Sequence, residues 1–468
     1  MILIFIHGWS VTSTDTYGEL PAALKKEAVN YGLDISIKHI YLGKYISFHD
    51  EVEVKDIARA FDTAIREQLP NNTNGKRVFS CITHSTGGPV IRQWVDDYYK
   101  QGKALNNLPL KHLVMLAPAN HGSPLAVLGK KKVGRIKAWF SGVEPGQRVL
   151  DMLSIGSDEQ WDLNLSSATY KSVENGFFPF VLTGQGIDRR FYDFINNYLD
   201  EDGSDGVVRV SGANMNYKYY FLEQSDTPVK RYTGTPARTT ELINRKSKAT
   251  ITSGGHAIGV FKQYSHSGSK KGIMGSVKKS DSKFSPIVKE VLSCLKVKNN
   301  NQYLTRLNSL SQFSDVQQEG KPKYSQIVFS IHDDYGRKFK PDDFDILLLG
   351  GKNYQAGKMP KGFLKDKQIN SKTGRFVFYI NHDQFIKMPD NSLGIRVVGR
   401  PDEGFSYYKP AEFRLTSTAI GKTIRANETT YIDIALKRYV DKNVMRLGKI
   451  KSTPESFKNT KPSGHDVS

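Results

Sequence analysis

The chain has 468 residues, 38% of them apolar, which is enough for two or three domains with cores of their own. Two cysteines exclude a disulfide framework, and no apolar run approaches the eighteen residues of a membrane span. A formal charge of +20 with a pI near 9.5 calls for an anionic partner; zinc-ligand spacings, an RNA-binding aromatic signature and a recognition-helix unit are all missing, so a membrane surface is expected rather than nucleic acid.

In chain order, "ILIFIHG" reads as a strand; "MILIFIHGW" is too short and lacks the basic flank of a signal peptide, so the expectation is synthesis in the cytoplasm with any export by a signal-less route. A helix from Tyr17 to Tyr31, the strand "DISIKHIYL", a helix from Val54 to Gln68 and the strand "RVFSCIT" follow. Next comes "CITHSTGGPVIRQWV", in which an apolar strand ends at a turn and an apolar-faced helix begins. A turn that tight needs small residues two positions either side of its centre, and Thr83 and Gly87 flank Ser85 in that way. Ser85 would stand clear of the sheet at a helix N-terminus, where dipole and free N–H groups favour developing negative charge.

"LKHLVMLAPA" and "FFPFVL" read as further strands, separated by a segment of about 123–170 that is long enough to form a cap or lid. Inside it, "LGKKKVGRIKAWF" sets Leu128, Val133, Ile136, Trp139 and Phe140 near one helical stripe, beside Lys130, Lys131, Lys132, Arg135 and Lys137. That pattern suits either an anionic bilayer surface or an ordinary cap helix with a solvated basic face. "AIGVFKQY" reads as the last strand of the region, and a helix begins at Pro286 with Ser285 as its N-cap. Residues 1–297 are therefore expected to form a mostly parallel sheet flanked by helices.

A nucleophilic serine needs an oxyanion hole, an acid and a base. Backbone N–H groups near Gly8 and Trp9, with that of Thr86, are candidates for the first. Asp205, in the turn "DEDGSDGVVRVSGANM" leading into strand-like "VVRV", is the acid candidate, with Asp202 next. Of two histidines, His266 in "YSHSG" is preferred over His256, because it follows the last strand while His256 precedes it. The acidic cluster Asp200, Glu201, Asp202 and Asp205 lacks calcium-loop spacing, so no metal and no cofactor is expected.

Beyond a polar stretch at 298–323, expected to be a linker, the period shifts to short strands: "YSQIVFSIHD", "FDILLLGG", "RFVFYINHD", "LGIRVVGR", "AEFRLTST" and "TYIDIALK". Residues 324–440 thus predict a smaller all-β, sandwich-like domain, and 441–468 a basic mobile tail.

Together "IFIHGW", "THSTGG", "LAPANHGSPLA", "SDGVV" and "YSHSG" resemble lipases and esterases of the α/β-hydrolase fold over about the first 295 residues, departing at Thr83, where that family has glycine. The stretch "LAPANHGSPLAVLGKKKVGRIKAWFSGVEPGQRVLD" further resembles bacterial lipase-like proteins that include phospholipase effectors of type VI secretion. The resemblance implies Ser85 as nucleophile, Asp205 as acid and His266 as base. It also implies a bacterial source, phospholipid as partner and, for an effector, a secretion-spike or immunity protein. The reading is a serine lipolytic hydrolase, most consistent with a phospholipase. A carboxylesterase or acyltransferase with the same triad, or a non-catalytic membrane-binding adaptor, are the alternatives.

Overall fold

The computed structural model describes residues 1–8, 15–47, 49–69, 78–100, 105–127, 146–187, 201–244, 250–388, 392–400, 406–415 and 422–441. Five strands open the chain: β1 (Ile2–His7), β2 (Ser36–Tyr41), β3 (Phe79–His84), β4 (Leu110–Leu116) and β5 (Phe178–Gly184). Three more, β6 (Tyr217–Pro228), β7 (Thr240–Asn244) and β8 (Ile251–Thr252), leave that sheet, and β9 (Ala257–Phe261) returns to it. The result is a parallel sheet of order β2-β1-β3-β4-β5-β9.

Helices cover both faces: α1 (Leu20–Glu27), α2 (Val54–Gln68), α3 (Gly87–Val95), α4 (Pro124–Val127), α5 (Gln147–Leu153), α6 (Asp158–Ser167), α7 (Val210–Ala213), α8 (Pro286–Leu295) and α9 (Asn300–Gln317). Strand alternation sorts the core into two layers. Ile4, Ile6, Cys81, Leu113 and Met115 pack with Ile57 and Phe61 of α2 and Val90 and Trp94 of α3. Leu3, Phe5, Ile82, Val114 and Leu116 face the other way, onto Leu20 and Leu24 of α1, Ile287, Val291 and Leu292 of α8, and Tyr303 and Leu310 of α9. Each such fully buried side chain contributes roughly 1.5–3 kcal/mol of transfer free energy. Helix α9 occupies most of the stretch expected to be a linker. Its inner face has only Tyr303, Leu310 and Ser314 buried, and Asn299 caps it by accepting from the Gln302 N–H. Among the described residues, no helix is long and apolar enough to cross a membrane.

The β-domain is one large mixed sheet made from β10 (Tyr324–Asp333), β11 (Phe344–Gly350), β12 (Gln355–Ala356), β13 (Leu364–Ile369), β14 (Phe376–Asn381), β15 (Leu393–Gly399), β17 (Ala411–Leu415) and β18 (Thr429–Leu436), with β16 (Ser406–Tyr408) and β19 (Arg438–Val440) as a separate ladder. Its order, β12-β11-β15-β17-β7-β6-β18-β10-β14-β13, inserts β6 and β7 from the earlier region into its middle. β18 pairs in parallel with both β6 and β10.

The two sheets meet through Ile155 and Trp161 on one side and Tyr217, Val328, Val377 and Tyr431 on the other. At the centre of this contact His121 Nε2 lies 2.7 Å from the Asn214 carbonyl, which can only accept, so the proton sits on Nε2. Nδ1 then accepts from the Tyr431 hydroxyl at 2.6 Å, and that oxygen accepts from Asn164 Nδ2 at 2.9 Å. Burial, followed by the charge of Arg92, lowers the His121 pKa to about 3, which keeps this tautomer neutral.

Candidate active site

Ser85 occupies the tight elbow between β3 and α3, with φ at +53°, a left-handed value that costs an L-residue about 1–2 kcal/mol. The turn is held by the Ser85 N–H to the Leu116 carbonyl at 3.0 Å and by the Gly88 N–H to the Ser85 carbonyl at 3.2 Å. Threonine at 83 is accommodated because residue 87 is glycine: a Cβ there would stand 3.1 Å from the Thr83 Cβ. A Cβ on Gly88 would come within 2.8 Å of Pro118. The elbow thus accommodates Thr83 in place of the first glycine because Gly87 leaves its side chain room.

His266 follows β9, and its Nε2 lies 3.0 Å from Ser85 Oγ. Its Nδ1 lies 2.9 Å from Asp205 Oδ2, and its own N–H donates to the Asp205 carbonyl at 3.0 Å. The other carboxylate oxygen, Oδ1, accepts the N–H groups of Val207 at 3.0 Å and Val208 at 2.8 Å. Asp205 and His266 are both wholly buried. A carboxylate that takes two backbone donors on one oxygen and an imidazole on the other is fixed in rotation. The imidazole must then carry its hydrogen on Nδ1 and turn a lone pair toward Ser85.

Next to this line lies His84, whose ring centroid is 4.7 Å from that of His266 and whose Nε2 bonds the His266 carbonyl at 2.9 Å. Burial, and then the neighbouring His266, hold its pKa down to about 3, so it adds no positive charge beside the His266 imidazole. His84 was not singled out from sequence. The signal was its place immediately before the elbow serine.

His256 is elsewhere. It precedes the N-terminal end of β9, whereas Ser85 follows the C-terminal end of β3 in the same parallel sheet. It lines a water-sized cavity of about 10 Å³ with Arg92, Tyr170 and Met215. Burial, followed by the charge of Arg92, lowers its pKa to about 4. Asp202 also points away: its carboxylate meets the Tyr324 hydroxyl at 3.3 Å and Lys365 at 3.6 Å in the β-domain. Glu201 pairs with Arg209 at 2.8 Å. The described members of the acidic cluster are therefore engaged by protein groups. Asp200 lies outside the described residues, and no group of three metal-ligating side chains occurs among those described.

Thr86 sits at the N-terminus of α3, directly after Ser85. Trp9, the other expected oxyanion amide, lies outside the described residues, as do Lys130, Lys131, Lys132, Arg135, Trp139 and Phe140 of the cap. His7 turns back to β2, with Nε2 2.9 Å from His39 Nδ1 and its ring stacked on Tyr41. The expected strand "VVRV" after Asp205 does not form. Val207 and Val208 wrap the Asp205 carboxylate instead, and Val210 starts α7. Arg209, in the middle of that apolar run, was also missed; a charge among valines is the sequence trace of a buried ion pair.

Neither a family model nor a curated protein sequence matches the chain. Among solved structures, the chain is similar to the phospholipase PlaB from Legionella pneumophila, at 38% identity and a TM-score of 0.85, over 97% of each chain. A second structure of that phospholipase, in complex with thio-NAD, matches at 37% identity and a TM-score of 0.84 over the whole of both chains. The mature lipase BlEst2 from Bacillus licheniformis matches at 18% identity and a TM-score of 0.33, over 45% of this chain and 78% of that one.

Proposed function

The chain belongs to the family of the Legionella phospholipase PlaB, lipolytic hydrolases of the α/β-hydrolase class, and from that premise we propose that it cleaves acyl esters of phospholipids by a serine mechanism. The observation that carries the reading is the line from Ser85 Oγ to His266 Nε2 at 3.0 Å and from His266 Nδ1 to Asp205 Oδ2 at 2.9 Å, on an elbow serine with a positive φ.

In this reading Ser85 Oγ attacks the ester carbonyl while His266 Nε2 takes its proton. Asp205 holds the imidazole in the tautomer that accepts and stabilises the cation that forms. The tetrahedral oxyanion is met by the Thr86 N–H at the start of α3, with the α3 dipole adding its positive end; the Trp9 amide, the second donor expected from sequence, lies outside the described residues. The imidazolium then protonates the leaving alcohol, a lysophospholipid, and the same base activates water to release the fatty acid. Phospholipid as substrate is supported by full-length likeness to a phospholipase and by a charge of +20 that favours anionic headgroups.

A fluorophosphonate probe should label the wild type at Ser85, and mixed-phospholipid vesicles should release fatty acid. Ser85→Ala should abolish both with an unchanged far-UV spectrum. An Ser85→Ala enzyme that still hydrolyses the vesicles would sink the proposal, and release from short esters alone would favour a carboxylesterase.

A further inference from the structure

The loop that presents Asp205 is gripped at both ends by the β-domain. Arg209 is only 1% exposed, and its guanidinium donates to both oxygens of Glu201, Nε to Oε2 at 2.9 Å and Nη2 to Oε1 at 2.8 Å. The same Nη2 reaches Asp366 on β13, and the guanidinium lies 4.0 Å over the ring of Tyr379 on β14. The Tyr379 hydroxyl donates to the Asp202 carbonyl at 3.0 Å, and its ring stacks on Tyr324 of β10. Gly203, with φ at +73°, lets the loop come this close, since a Cβ there would sit 2.6 Å from the Tyr379 oxygen. A bridge between Ser204 and Arg209 closes the loop on itself, with Asp205 just inside it.

A buried guanidinium is tolerable only where carboxylates and ring faces surround it, and here β13 and β14 supply one of the carboxylates and the ring. The closed loop has little freedom of its own once residues 202, 203 and 209 are tied to a sheet. We infer that the β-domain sets the position of Asp205 relative to His266, with Arg209, Asp366 and Tyr379 as positioning residues for the acid. The inference rests on the reading of Ser85, His266 and Asp205 as the catalytic line. It makes the second sheet a working part of the active site and not an appended module.

The test uses the full chain carrying Asp366→Asn and Tyr379→Phe together, which remove one charge and one hydroxyl and leave the Arg209–Glu201 fork in place. Rates on a soluble short-chain ester are divided by the number of fluorophosphonate-reactive sites, so that a smaller folded fraction does not count as slower chemistry. Expected are a fall of about tenfold in kcat per reactive site with KM changed less than about twofold, because a displaced acid impairs proton transfer and not ester binding. The acid limb of the kcat/KM profile should also differ from that of the wild type, because the displaced carboxylate no longer faces the imidazole in the same way. The low-field proton resonance of the His266–Asp205 bond should broaden or vanish. Should the double variant fail to fold, Tyr379→Phe alone, which removes a single oxygen, is measured in the same way. A kcat per site, pH limb and resonance all equal to wild type would overturn the inference while leaving the triad intact, provided Asp205→Asn is silent. An Asp205→Asn enzyme with normal turnover would overturn both.

Discussion

Replacing Asp205 by Asn changes one atom, and the geometry dictates what that atom does. Oδ1 accepts two backbone N–H groups, at 3.0 and 2.8 Å, and Oδ2 accepts the His266 Nδ1–H at 2.9 Å. An asparagine has one oxygen to serve three donors. If that oxygen stays with Val207 and Val208, the NH2 group faces His266 Nδ1 and can only donate. The imidazole must then move its hydrogen to Nε2, where it faces Ser85 Oγ as a donor and cannot act as a base. If the amide flips, its NH2 confronts two buried N–H groups, each then unpaired at about 1–3 kcal/mol. Two such penalties exceed one exchanged hydrogen bond, so the first arrangement wins and the wrong tautomer prevails. Loss of the base with geometry intact corresponds to about 10³–10⁴ in kcat, or roughly 4–5.5 kcal/mol of barrier. The measurement is kcat on a soluble ester, paired with the rate of fluorophosphonate labelling and a melting curve. Turnover within tenfold of wild type in a folded variant would refute the reasoning and move the acid elsewhere.

The elbow offers a compensating pair: Gly87→Ala should slow probe labelling about tenfold by pressing on Thr83, and adding Thr83→Gly should restore most of it; a double variant no better than the single would show that the Thr83–Gly87 contact is not what limits the turn. Stability should fall as pH drops from 6.5 toward 4, because burial, ahead of any nearby charge, lowers both His112 and His256 to about 4 in the folded chain. A base with a depressed folded pKa takes its proton only on unfolding, so its stabilising effect is complete above about 6.5 and is lost below. At pH 5 each should cost about 2 kcal/mol, and urea midpoints that stay level from pH 7.5 to 5 would count against it.

Much of this architecture is written locally. Helix α2 spans the same residues, Val54–Gln68, that the apolar period marks, since Ile57, Phe61, Ala64 and Ile65 recur on one face. Strands β10 and β11 begin where turn signals stop, and the order of strand ends is what favours His266 over His256. What was not legible is long-range. Tyr217–Pro228 lacks a clean alternation of apolar and polar residues, and nothing within it reveals that its partner is Thr429–Leu436, some two hundred residues later. Helix α9 was hidden because so narrow a stripe of its surface is buried. The grip on the acid loop was hidden for the same reason as the pairing. Asp366 and Tyr379 sit on unremarkable strands, and only tertiary structure brings them to Arg209.

The interleaving of the large sheet also sets a clock. β6 lies between β7 and β18, so its second edge stays open until residues 429–436 have emerged from the ribosome. At about 5–20 residues per second, the wait from residue 217 is on the order of ten to forty seconds. Until β14 is complete at Asn381, the neighbouring acid loop lacks the β13 and β14 groups that surround Arg209. On the inference drawn above, a chain cut short before β13 and β14 carries its serine and histidine without the groups that hold the acid loop.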